Sequence, residues 1–196
     1  MRADSPTQTV NKNNSDFVGV KVDMANAFNR MARQQMILAV NNLPGLARWV
    51  VVCMAQHSVL WFGSSRLSSE EGGQQGDPLI PLLFALVLHP LIKKIENLGP
   101  AANLWFVDDG TIWGSHKVVA EALALLDGPD AKDLGIHLNH GKCEVIWLRN
   151  EFVKEDAFPA KFTKRIRNGN FTIVGTIMGD DKYVTEEAMK LLKDAE

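Results

Sequence analysis

One stretch limits the possible folds more than any other: Leu104-Trp105-Phe106-Val107-Asp108-Asp109-Gly110-Thr111-Ile112-Trp113. Aromatic and β-branched residues lie on both sides of Asp108-Asp109-Gly110, and strand formers flanking an Asp-Gly pair predict a hairpin. A turn needs one Asp, whereas two adjacent carboxylates repel each other. A hard cation such as Mg²⁺ held at the tip would offset that repulsion, because it takes carboxylate oxygens and keeps positions open for phosphate. A plain solvated turn accounts for the same tripeptide, so the stretch by itself leaves both readings open.

The chain has 196 residues, enough for one domain or a fragment of a larger protein. A hydrophobic content of 46% with 22% charged residues predicts a globular chain with a real core. The formal net charge of -2 gives no bulk attraction to nucleic acid, so such a partner needs a local basic patch or a metal. The two cysteines, Cys53 and Cys143, form no metal, redox or disulfide pattern, which suits a reducing, intracellular compartment, cytoplasm or nucleus. The N-terminus is polar and does not read as a signal peptide. The longest apolar run, Leu79 to Ile92, is too short for a bilayer and contains Pro81, His89 and Pro90, so no membrane role is expected.

Met1 to Asp16 is polar and Asn-rich and reads as a disordered lead-in. Phe17 to Val22 alternates as a strand, with Val18, Val20 and Val22 on one face and Asp23 leaving on the other. A helix is expected from Ala25 to about Val40, then a second from Leu46 to Gln56. Val59 to Phe62 reads as a strand, and Gly63 to Gln75 as a strand pair with a loop that is most flexible at Gly72-Gly73-Gln74-Gln75-Gly76. Asp77 is expected to cap a helix with Pro78 at its first position. That helix is apolar almost all round, which predicts complete burial, with a kink at Pro90. After the hairpin, Ser115 caps a helix over His116 to Leu126. Leu134–Leu138 and Cys143–Leu148 read as strands around a turn, and Arg149 to Asn170 is basic at Lys161, Lys164, Arg165 and Arg167. Phe171 to Met178 is a last strand pair around Gly175, and Thr185 is expected to cap the C-terminal helix within residues 180–196. This order predicts an α+β fold, a mostly antiparallel sheet with helices on one face.

Four segments carry chemistry: Val22-Asp23-Met24-Ala25-Asn26-Ala27-Phe28-Asn29, Gly73 through Phe84 with Gln75-Gly76-Asp77-Pro78-Leu79, Phe106-Val107-Asp108-Asp109, and Leu134 through Glu144. With Val174-Gly175 as a fifth, in this order over about Phe17 to Gly179, the chain resembles the palm of reverse transcriptases of the non-LTR (LINE-like) retrotransposon type. The resemblance implies an RRM/ferredoxin-like core over residues 17–179 and RNA-directed DNA polymerase activity, with an RNA template, a DNA primer and a dNTP as partners. It implies two Mg²⁺ ions, or Mn²⁺, held by Asp23, the Met24 backbone carbonyl, Asp108 and, in a supporting role, Asp109. It further implies that Ala27, Phe28, Gln75, Gly76 and Val107 border the nucleotide, with Phe28 excluding a 2′-hydroxyl, and that Lys142 lies near the leaving pyrophosphate as a general acid. No histidine is spaced with a Cys or carboxylate partner to bind metal.

The resemblance covers the palm only. The 22 residues before Asp23 are too few for fingers and carry Arg2, Lys12 and Lys21 as their only cations, and little follows Gly179 to serve as a thumb. A catalytically inactive or domesticated palm that binds nucleic acid or protein is therefore the alternative. An RNA-directed RNA polymerase and a group II intron maturase are further relatives to weigh.

Overall fold

The structure, a computed structural model, describes residues 16–194. Fifteen residues of the expected lead-in lie outside this range. Asp16 does not behave as part of a lead-in: its carboxylate accepts from His116 Nδ1 at 2.8 Å and from Lys154 Nζ at 2.9 Å. On the other side of that ring, the Trp147 indole N–H donates to His116 Nε2 at 2.8 Å. Indole can only donate, so Nε2 is the acceptor and the imidazole proton sits on Nδ1. The start of the first strand is thereby tied to His116 and Lys154, far along the chain.

In chain order the elements are β1 (Phe17–Val22), α1 (Ala27–Arg30), α2 (Arg33–Ala39), α3 (Pro44–Met54), β2 (Ser58–Phe62), β3 (Ser65–Ser69), α4 (Ile80–Glu96), β4 (Ala102–Phe106), β5 (Asp109–Ser115), α5 (His116–Leu126), α6 (Pro129–Asp133), β6 (Glu144–Ile146), β7 (Lys164–Ile166), β8 (Phe171–Ile173), β9 (Thr176–Met178) and α7 (Asp181–Asp194). One five-stranded sheet runs β4-β5-β1-β6-β7, and two hairpins, β2-β3 and β8-β9, stand apart. The first three pairings in the large sheet are antiparallel and β6-β7 is parallel, so the sheet is mixed.

Alternation along β1 works as the pattern predicts. Val18, Val20 and Val22 are fully buried and share a core with Ile112 of β5, Leu83, Phe84 and Val87 of α4, and Val119 and Leu123 of α5. The opposite face carries Phe17 stacked on Trp113 at 5.9 Å, and Trp113 in turn meets Phe171 of the β8-β9 hairpin at 5.5 Å. Gly19 lies beneath Trp113, where an added Cβ would come within 2.6 Å of the ring.

Several sequence expectations are corrected. The first helix is broken between Arg30 and Arg33, because Ala32 N–H turns away to the Leu134 carbonyl at 3.0 Å. The second expected helix, α3, starts at Pro44, two residues before the expected Leu46, with the proline in its first turn. Asp77 accepts from Leu79 N–H at 2.9 Å, but α4 itself starts two residues later than expected, at Ile80. This helix is not buried all round: Leu82 is 47% exposed, since the helix covers the sheet with one face only. Leu134 to Leu138 forms no strand; only Leu138 bridges, to Met24. The C-terminal helix takes its cap from Asp180, whose carboxylate accepts from Tyr183 N–H at 2.8 Å, while Thr185 lies inside α7 and donates to the Asp181 carbonyl. The basic residues after Arg149 are already engaged. Lys161 pairs with Asp127, Lys164 with Glu144 and Arg167 with Glu155, and the Arg165 guanidinium donates to four backbone carbonyls. Among the described residues, no helix is long and apolar enough to cross a membrane.

Candidate active site

Asp23 and the Asp108-Asp109 pair lie in neighbouring segments where two sheet elements end. Val22 pairs with Gly110, so Asp23 leaves β1 beside the first residue of β5, Asp109. The β4-β5 hairpin closes on a Phe106–Asp109 pair, which makes Val107 and Asp108 its two-residue loop. The tip thus lies two residues earlier in the chain than the Asp-Gly signal predicts. Val107 has φ of 58°, in the left-handed region that β-branched residues avoid. Two-residue hairpin loops need positive φ to match strand twist, and here a valine meets that demand at a cost in strain.

Burial raises the Asp108 carboxyl above the ordinary aspartate range, and the charges of Asp109 and Asp23 raise it further. Asp23 and Asp108 are half-buried and Asp109 is exposed. Carboxylate oxygens are the donors that a hard divalent ion takes. Among the described residues, no group of three or more His, Cys, Asp and Glu side chains is placed so that it could hold a metal ion.

Asp23 is gripped through its main chain. Its N–H donates to Cys143 Sγ at 3.4 Å, and the same thiol lies 3.5 Å from the Asp23 carbonyl. That carbonyl also accepts from Asn139 N–H at 2.9 Å, and Ala25 N–H donates to the His137 carbonyl at 2.8 Å. Burial raises the Cys143 thiol, which keeps it protonated and able to donate. Lys142 belongs to this same loop, with an exposed side chain that forms no ion pair among the described residues. Met24 is buried at the bridge to Leu138.

A cleft of about 240 Å³ is lined by Phe28, Gln74, Gln75, Gly76, Asp77, Ile80 and Pro81. Phe28, Gln75 and Gly76 are therefore brought together, although they come from α1 and from the loop before α4. The Phe28 ring is held edge-on by Phe84 of α4, with centroids 5.4 Å apart and planes at 87°. Ala27 is buried and does not line the cleft. Val107 belongs to the hairpin tip and packs against the core.

Sequence reasoning passed over Arg33, which ties the loop before the cleft to α2. No signal in the sequence marks it, because Arg33 falls inside the expected Ala25 to Val40 helix and most of its partners are backbone carbonyls that only the fold brings near.

No protein-family model matches the chain, and no curated protein matches it. Solved structures do. Telomerase from Candida albicans in complex with a TWJ fragment of telomeric RNA is similar with a TM-score of 0.58 and 12% identity, over 83% of this chain and 29% of that one. Telomerase from Candida tropicalis in complex with the same kind of fragment gives 0.57 and 14%, over 85% and 30%. Apo telomerase from Candida tropicalis gives 0.58 and 12%, over 85% and 33%. The chain thus shares its α+β fold with those telomerase structures over most of its length. It spans about a third of the length of those telomerase chains.

Proposed function

We propose that this chain is the palm of an RNA-directed DNA polymerase of the non-LTR retrotransposon type, acting with an RNA template, a DNA primer and a dNTP. The observation that carries the reading is the register of β1 on the β4-β5 hairpin, which brings Asp23 beside Asp108-Asp109, a pair far from it in sequence. Asp23 and Asp108 would hold two divalent ions, Mg²⁺ or Mn²⁺, with the Met24 carbonyl as a further ligand and Asp109 beside them. Those ions would stabilise the attacking primer 3′-oxygen and the leaving oxygen of the nucleotide. The chain's own side chains do the remaining work. Phe28 borders the sugar and excludes a 2′-hydroxyl, Gln75 and Gly76 approach the nucleotide and template, and Val107 meets the primer end. Lys142, exposed and unpaired among the described residues, donates a proton to the departing pyrophosphate.

The test is primer extension on an RNA template with Mg²⁺, using the full chain and its Asp23→Asn and Asp108→Asn variants. Extension by the wild type that both variants lose supports the reading; equal extension by either variant removes its carboxylate from the chemistry. A second reading, a palm without catalysis that binds nucleic acid or protein, is favoured because no group of three or more His, Cys, Asp and Glu side chains among the described residues is placed to hold a metal ion. Template binding with no extension at any Mg²⁺ or Mn²⁺ concentration would select it.

A further inference from the structure

The Arg33 side chain makes five hydrogen bonds. Nε donates to the Gly72 carbonyl at 2.9 Å, Nη1 to the Ser69 carbonyl at 2.8 Å and the Gln56 carbonyl at 3.3 Å, and Nη2 to Ser69 Oγ at 2.9 Å and the Glu71 carbonyl at 3.3 Å. Four of these reach one short segment, Ser69 to Gly72, which leads directly into the Gln74–Gly76 wall of the cleft. The same segment is fixed on its other side by the helix that carries Phe28. Gly72 N–H donates to the Met31 carbonyl at 3.0 Å, and Gly73 N–H to the Phe28 carbonyl at 2.9 Å. Gly72 has φ of 55°, and an added Cβ would lie 2.2 Å from the Asn29 carbonyl, so the segment presses flat against α1. At Gly73 an added Cβ would meet Ile80, itself a cleft residue, at 2.0 Å. Arg33 does not line the cleft, yet the segment it holds runs into one wall and, at Gly73, hydrogen-bonds the Phe28 backbone of the other.

We propose that Arg33 is a positioning residue for the nucleotide: its planar guanidinium sets the separation between Phe28 and the Gln75–Gly76 wall. That separation governs affinity for a deoxynucleoside triphosphate and its preference over the ribonucleotide. The inference rests on the polymerase reading of the cleft. Lysine does not replace this arrangement, because one ammonium lacks the flat fork that serves Gly72, Ser69 and Gln56 together.

The experiment measures dGTP and GTP affinity, each with Mg²⁺, on the full chain, and amide exchange at Gly72 and Gly73. Wild type is compared with Arg33→Lys and Ser69→Ala. Arg33→Lys is expected to weaken dGTP binding about tenfold, to shrink the preference for dGTP over GTP and to speed exchange at both glycines. Ser69→Ala, which removes one acceptor, is expected to shift all three readouts the same way by about two- to threefold, and it carries the test if Arg33→Lys does not fold. Unchanged affinity and preference would overturn the inference and leave the polymerase reading intact. Equal weakening for both nucleotides, with the preference unchanged, would reduce Arg33 to a scaffold clamp and overturn it as well. A wild-type chain that binds neither nucleotide would instead refute the polymerase reading, a result that needs no variant to see.

Discussion

Gly110 is where the carboxylate hairpin is most easily displaced. It follows Asp109 on β5, pairs with Trp105 across the hairpin and with Val22 of β1, and lies under the Trp105 indole. An added Cβ would stand 2.4 Å from the ring, whereas ordinary contact begins near 3.4 Å, so the indole would have to retreat by about 1 Å. Such overpacking costs about 1–3 kcal/mol. Moving the ring also stretches the bond from Trp105 Nε1–H to Asn103 Oδ1, now 2.7 Å, and a lost hydrogen bond adds about 0.5–1.5 kcal/mol. Against this, Gly→Ala restricts the unfolded chain and returns about 0.4–1 kcal/mol. The net for Gly110→Ala is a destabilisation of about 2 kcal/mol, or a fall in Tm of about 4–8 °C for a chain of this length. Gly114→Ala on the same strand is the control. Its added Cβ would meet Pro100 and Val118 at an ordinary 3.5 Å, so the unfolded-state gain dominates and Tm should rise slightly. Thermal unfolding measures both, and the Trp105 indole N–H resonance should move in Gly110→Ala alone. Equal Tm changes in the two variants would refute the packing of Trp105 over Gly110 and the hairpin register derived from it.

Three further outcomes follow from the same geometry. Burial and the Asp109 and Asp23 charges hold the Asp108 carboxyl above its unfolded value, so its stabilising contribution is present below the unfolded pKa and lost as pH rises through the folded one. Asp108→Asn should therefore be more stable than wild type to denaturant at pH 7 in metal-free buffer, with the gap closing in acid; a gap that widens in acid contradicts this. Val174 and Gly175 both have positive φ, at 46° and 77°, and Val174 is 56% exposed. Val174→Asn should stabilise by about 1 kcal/mol in chemical denaturation, because Asn tolerates the left-handed region that valine resists. Phe28→Val should admit ribonucleotides in a primer-extension assay, and unchanged sugar discrimination would remove Phe28 from that role.

Local signals in the sequence were reliable where the chemistry is local. Ser115 and the apolar spacing after it mark α5, and Ser115 Oγ does accept from Val118 N–H. The valines of β1 mark their own face. Long-range pairing left no such trace. Lys164-Arg165-Ile166 has no strand pattern, yet it extends the sheet in parallel to β6. Leu134 to Leu138 alternates like a strand, but Gly135 turns with φ of 79° so closely past Arg30 that an added Cβ would lie 2.1 Å from its carbonyl. The hairpin was legible and its tip was not, since no propensity places a valine at positive φ. Of the candidate site, Asp23, Asp108, Asp109, Phe28 and Gln75 could be named from motifs. The grips of Cys143 on Asp23 and of Arg33 on Gly72 could not, because each depends on backbone atoms that only the fold brings near.

The most direct test of the account is a Mn²⁺ titration of the full chain followed by paramagnetic broadening of backbone amides. Broadening that begins together at Asp23 and at Val107 to Gly110, and that Asp23→Asn weakens at the hairpin as well, is the predicted result. Broadening confined to other acidic surfaces, or loss at the hairpin that is indifferent to Asp23, would contradict a shared ion site and the polymerase chemistry built on it.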